Sequence, residues 1–384
     1  MYADESIRPW FDQLRGHLPG LRLLDAHTHV GQNDPDGFTC TTEELAAALE
    51  LADSRATVFS MHEPDGYPTA NDRLVSEAGA SGGRLVAYCR VDPARDPAGE
   101  AARCLDRGAR GIKLHPRAEG FTLDHPGVER VVALAAERRV PVIVHAGRGI
   151  PALGRHALEL AGRYPTAPLI LAHLGISDLS WIWREVEERP NLLFDTAWWN
   201  PVELVALFAL VPPGQVLYAS DAPYGTPVQS TVMTLRCALE AGLSPEQVAG
   251  VAGAQLERLV AGEAPLDLGR APGADRLRAN VLLERVCSLL HTAMGMMLRG
   301  DDGTEYLSLV RLACEVGDDA PEAPVCRSVL ALLDRHERFA PTRPADEHPY
   351  PSLHLAVTAL CVARTPNVAL PPEPEAVSAG ERQV

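Results

Sequence analysis

Residues 21–30 read LRLLDAHTHV, apolar through Leu24 and then abruptly polar at Asp25, His27 and His29. A strand buried on both faces is a continuous apolar run, and ionisable residues collect where it emerges at a catalytic rim. Residues i and i+2 of a strand share a side, so this spacing sets the His27 and His29 imidazoles beside each other. Seven further runs have the same construction: ATVFSMH (56–62), RLVAYCRVDP (84–93), ARGIKLHP (109–116), VPVIVHAG (140–147), APLILAHLG (167–175), NLLFDTA (191–197) and QVLYASDAPYG (215–225). Eight apolar runs separated by helical stretches predict an α/β fold, a (β/α)8 TIM barrel with parallel strands.

Helix punctuation agrees with this reading. Thr41 with Glu44 spells a capping box ahead of an Ala/Leu-rich stretch, Asn200-Pro201 sets an N-cap and first turn, and Ser244-Pro245 opens the last helices before Leu259. The barrel is assigned to 1–263, and the Pro- and Gly-rich residues 264–274 to a linker. Residues 275–365 then form a smaller all-α C-terminal unit. There Leu277, Val281, Leu282, Val286 and Leu289 recur at helical spacing, and amphipathic stretches cover 304–316, 323–338 and 351–364. Residues 366–384, bearing Pro and Glu, are expected to be a disordered tail.

The 384 residues carry 35 basic against 51 acidic side chains, a formal charge of −16, which repels phosphate backbones and anionic bilayers. Nucleic acid and membrane are therefore excluded as partners. Hydrophobic residues at 46% and a mean hydropathy of −0.05 suit a globular protein with a sizeable core. The first residues, MYADESIRPWFDQ, hold no apolar stretch of signal-peptide length, and no run of about 18 apolar residues occurs, so a cytoplasmic location is expected. Eight cysteines without a C-x-x-C pair read as reduced, buried thiols.

The chemistry sits at the strand ends. His145 closes the fifth run, His173 the sixth and Asp221 the eighth, on the same rim as His27 and His29. Imidazoles with one carboxylate suit a divalent metal, Zn2+ first and Mn2+, Fe2+ or Ni2+ after it, and leave a coordination position for water.

Six segments carry a resemblance: DAHTH (25–29), RVDP (90–93), GIKLHP (111–116), HAG (145–147), AHLG (172–175) and SDAPYG (220–225). Over roughly residues 20–262 the chain resembles the amidohydrolase superfamily, in the amidohydrolase-related branch of metal-dependent TIM-barrel hydrolases, decarboxylases, lactonases and hydratases. The resemblance implies that His27, His29, His145 and Asp221 bind one metal, with Asp221 also moving the proton of the bound water and His173 steadying the water or an oxyanion. In some branches a lysine at this place is carboxylated and bridges two ions, which would add Lys113 and His173 to the ligands; one ion is favoured. Otherwise Lys113 pairs with a substrate carboxylate or forms a salt bridge at the rim.

Further pocket residues are His62 and Glu63, Arg90, His115, Arg148 and the Trp198-Trp199-Asn200 stretch. Arg90, Lys113 and Arg148 are candidates for a clamp on an anionic substrate, small or carrier-linked. Three functions follow. The first is metal-assisted hydrolysis of a C–N or C–O bond in an amide, amidine or lactone. The second is non-oxidative decarboxylation or another lyase step on the same ligand set. The third is a non-catalytic binding module. The C-terminal unit is open as a lid, a homo-oligomer contact or a docking surface.

Overall fold

A computed structural model describes residues 2–339 and 350–372. The chain opens with α1 (Asp4–His17), β1 (Leu23–Val30), α2 (Thr42–Leu51), β2 (Ser54–Ser60), α3 (Pro68–Ala80), β3 (Leu85–Ala87), β4 (Cys89–Arg90) and α4 (Pro97–Asp106). It continues through β5 (Ile112–Leu114), α5 (Pro116–Glu119), α6 (Pro126–Arg138), β6 (Val142–Val144), α7 (Leu153–Arg163), β7 (Leu169–Leu171), α8 (Leu179–Ile182) and β8 (Leu192–Asp195). Then come α9 (Pro201–Leu210), β9 (Val216–Leu217), α10 (Pro227–Glu240), α11 (Pro245–Ala249) and α12 (Gln255–Val260). The last elements are α13 (Val281–Met297), α14 (Thr304–Ala313), α15 (Ala323–Phe339) and α16 (Tyr350–Arg364).

Each of the eight apolar runs contains a strand, and the third is split at Tyr88 into β3 and β4. All pairings are parallel, in the orders β1-β2-β3 and β4-β5-β6-β7-β8-β9. The chain after β9 returns to β1: Ala26 N donates to Tyr218 O, His29 N to Ala222 O, and Asp221 N to His27 O. The helices start where their caps require. Thr41 and Glu44 make the reciprocal capping box of α2, Asn200 Oδ1 accepts from Val202 N ahead of Pro201 in α9, and Ser244 with Gln247 boxes α11.

One finding adds to the expectations and a second departs from them. The N-terminal residues form α1, whose Ile7, Trp10, Phe11 and Leu14 fall at i, i+3, i+4 and i+7 and are buried. In α13 the buried face is Leu283, Val286, Cys287, Leu290, Ala293, Met294 and Met297, while Val281 and Leu282 are exposed. Asn280 caps this helix from Leu282 N and Leu283 N, so those two apolar residues fall in the first turn, outside the packed stripe.

Helices α13–α16 share one continuous hydrophobic core with the helices around the strands. Trp10 Nε1 donates to Ser328 Oγ, Gln229 Nε2 to His354 O, and the buried Arg236 guanidinium to Thr365 Oγ1 and to the carbonyls of Thr365, Val368 and Ala369. Residues 366–372 are thus fastened to α10, with Val368 buried; the remainder of the expected tail, 373–384, lies outside the described residues. All eight cysteines are free and buried. Among the described residues no helix is long and apolar enough to cross a membrane.

Candidate functional site

The ends of β1, β5, β8 and the segment after β9 deliver the site. The β1–β2 register slips between Asp25 and Thr28, the interval that holds Ala26 and His27. His27 and His29 then stand with ring centroids 5.0 Å apart, and Phe59 of β2 packs against both. Asp221 and His173 are both held in the left-handed region, at φ +58° and +53°. Non-glycine residues there carry strain that the surrounding structure must hold, and such residues cluster at functional sites. The tight turn after Asp221 requires Gly225, since a Cβ on it would come within 2.2 Å of Ser220 O.

His27 Nε2, His29 Nε2 and Asp221 Oδ1 converge, at 3.1 Å between the imidazoles and 3.2 and 3.1 Å from them to the carboxylate. His27 Nδ1 lies 2.8 Å from Asp195 Oδ2; with its proton there, Nε2 keeps a lone pair. Burial is the main force pushing both histidines well below their usual range and Asp221 well above it. Neutral imidazole nitrogens and a carboxyl oxygen crowded to this distance fit a divalent cation, and this group is one of two His/Asp sets among the described residues whose donor atoms can share one ion. The other is His27, His173 and Asp195.

Asp195, which sequence reasoning did not single out, ties these elements together. Its Oδ2 holds His27, and its Oδ1 accepts from His173 N and Ala197 N. Asp25, also passed over, accepts from His27 N and Ser220 N through one oxygen, linking β1 to the turn that carries Asp221. The signal for both was a carboxylate within an otherwise apolar run, but the sequence does not show what either one touches.

His145 is in neither donor set. His173 Nδ1 donates to Ala197 O, so its Nε2 accepts from His145 Nδ1 at 3.1 Å. The remaining His145 Nε2 is turned toward Gly147, where a Cβ would approach it to 2.5 Å. His115 stacks on His145 at 4.0 Å and caps α5. Lys113 Nζ lies 3.2 Å from His27 Nε2 and 4.5 Å from the Phe59 ring, and burial draws it down to about 7.

The anticipated three-cation clamp is not assembled. Arg90 is buried, pairs with Glu119 at 2.6 Å and lies over the Tyr67 ring, so its charge is already compensated. Arg148 is exposed and lies 5.5 Å from the Trp198 ring centre. His62 is half-buried, and Glu63 accepts from Asn33. Trp198 stands 6.1 Å from His173, with its indole N–H donated to Glu203.

Among solved structures the chain is similar to 2,6-dihydroxybenzoate decarboxylase from Rhizobium, with TM-score 0.50 and 14% identity over 62% of this chain and 98% of that one. It is similar also to 5-carboxyvanillate decarboxylase from Novosphingobium aromaticivorans complexed with manganese and 4-hydroxy-3-methoxy-5-nitrobenzoic acid (TM-score 0.51, 15% identity, 63% and 96% covered). A third is IDCase of Metarhizium anisopliae in apo form (TM-score 0.50, 12% identity, 63% and 98% covered). At these identities the likeness is one of fold. Among curated proteins no match is found. The amidohydrolase family model matches residues 24–258, more than half of the 384 and inclusive of His27, His29, Asp195 and Asp221, and the chain belongs to the amidohydrolase family.

Proposed function

We propose that this chain is a divalent-metal-dependent enzyme that releases CO2 from a small anionic substrate, a non-oxidative decarboxylase on a (β/α)8 barrel carrying α13–α16 as an added helical layer. The observation that carries it is the convergence of His27 Nε2, His29 Nε2 and Asp221 Oδ1 within 3.2 Å. Support for barrel closure comes from the hydrogen bonds joining the segment after β9 to β1. Support for decarboxylation rather than hydrolysis comes from two of the structural neighbours, both decarboxylases, and from the nature of the floor. That floor is enclosed and partly apolar: His27, Lys113 and Asp195 are fully buried, and Phe59 packs on both β1 histidines. Water-poor surroundings disfavour a charged carboxylate relative to neutral CO2.

When bound, the cation supplies a Lewis acid for a substrate carboxylate or carbonyl oxygen. His27, His29 and Asp221 hold it, and Asp195 fixes the His27 tautomer that presents Nε2. Asp221 Oδ2, on the side facing His173, moves the proton: as the C–C bond breaks, the electron pair stays on the substrate carbon and takes a proton from that carboxyl. His145 orients His173 through the bond between their rings.

The test combines metal analysis with two product assays. His27→Ala and Asp221→Ala should lose bound metal and turnover together. Incubation with a panel of hydroxylated aromatic acids should release CO2 without incorporating labelled water oxygen. Label incorporated into the products of amides or lactones, with no CO2 from any acid, would replace this reading by hydrolysis.

A further inference from the structure

A path of aromatic rings leads from the buried histidines to the surface. His173 and Trp198 lie 6.1 Å apart between ring centroids, Trp198 and Trp199 6.1 Å, and Trp199 and His291 of α13 5.6 Å with 32° between their planes. Burial falls along this path: His173 is buried, the two indoles are half-buried and His291 is exposed. The bond from the Trp198 indole to Glu203 fixes the inner ring. Beside it stands Arg148, exposed, with its guanidinium over the Trp198 ring at 5.5 Å and joined to no carboxylate among the described residues.

This arrangement is a costly way to build a surface that only packs. Two half-covered indoles leave apolar area in water, and rigid aromatic side chains beside an arginine are the composition that recognition surfaces favour. The guanidinium is also unspent, whereas Arg90 is paired with Glu119 and Lys113 is enclosed. In a chain of net charge −16, Arg148 is a cation on the aromatic platform that no described carboxylate pairs. The outermost ring belongs to α13, beyond the 24–258 span of the family match, whereas Arg148, Trp198 and Trp199 lie inside it.

We propose that Trp198, Trp199, Arg148 and His291 form a subsite at the mouth for a flat anionic group. The indoles take the plane of an aromatic ring, Arg148 takes a carboxylate or equivalent anion on it, and His291 closes the outer edge. The inference deepens the functional reading above and rests on it for the subsite's use: the substrate carries an aromatic ring with a second anionic group remote from the reacting carboxyl, and α13 sets how far that ring can extend.

The probe is 2-naphthoate, compared by titration calorimetry with its neutral counterpart 2-naphthamide on the full-length chain. The acid should bind about tenfold more tightly than the amide, the scale of one charge-assisted contact. Arg148→Gln should remove most of that difference, and His291→Ala should weaken both ligands by about threefold, the scale of one ring contact. The same titration on His29→Ala separates this inference from the metal chemistry. A preference for the acid that persists there places the anion at the mouth, even if no acid is ever found to be decarboxylated. Equal affinity for acid and amide, a preference that survives Arg148→Gln, or one that vanishes in His29→Ala would each overturn the subsite.

Discussion

Asp195 shows what one carboxylate does at this site. It faces His27 with one oxygen and two backbone N–H groups with the other, and it is fully buried. Asp195→Asn would keep the shape but reverse one role: with its oxygen retained by His173 N and Ala197 N, the amide NH2 would face His27 Nδ1. The proton would move to His27 Nε2, where it blocks coordination. Metal affinity is expected to fall by about 10–100-fold, read by competition with a chelator, while the fold stays intact by circular dichroism. His27, His29, His173 and Asp221 are visible in the sequence because each ends an apolar run. The Asp195 partnership is not, since it spans 168 residues and only the finished sheet brings the two together. Arg90 fails as a free cation for the same reason: Glu119, on the short helix α5, has no spacing relation to it.

Elements were legible to the extent that their pattern is local. The strands announce themselves as apolar runs, and the caps of α2, α9 and α11 are written in two to four consecutive residues. The register slip between Asp25 and Thr28 is not local, because it is defined by what β2 places opposite. The stripe of α13 likewise depends on its neighbours α14 and α16. That stripe can be tested: Leu290, fully buried in α13, should cost about 2–5 kcal/mol when changed to Ala, measured by urea unfolding, whereas exposed Val281→Ala should cost within about 0.5 kcal/mol. On α16, burial draws His354 down to about 4 from 6.5. The unfolded chain therefore binds that proton at higher pH than the folded one, and stability falls as pH drops from 6.5 toward 4, by up to about 3 kcal/mol, with no further loss below. Wild type should lose stability between pH 7 and pH 5, and His354→Gln should lose less, the difference being the His354 contribution and the remainder coming from other buried histidines such as His27 and His29.

At the scale of the molecule, composition predicted a globular chain with a large core but not that the C-terminal helices would share it. Nearly every described side chain of α16 is buried, and the helix lies against α9, α10, α13 and α15. Heating should therefore give one transition rather than two, and removing 275–384 should leave an aggregating fragment, because α10 would lose its cover; a soluble fragment melting independently would show that the two parts fold separately. The Arg236 guanidinium makes the same point in practical form. Its acceptors are supplied by Thr365, Val368 and Ala369, after α16 has ended. Any shortened expression version that stops at the helix end strands a buried positive charge, so trimming from the C-terminus is safe only beyond Ala369, and affinity tags belong past that point.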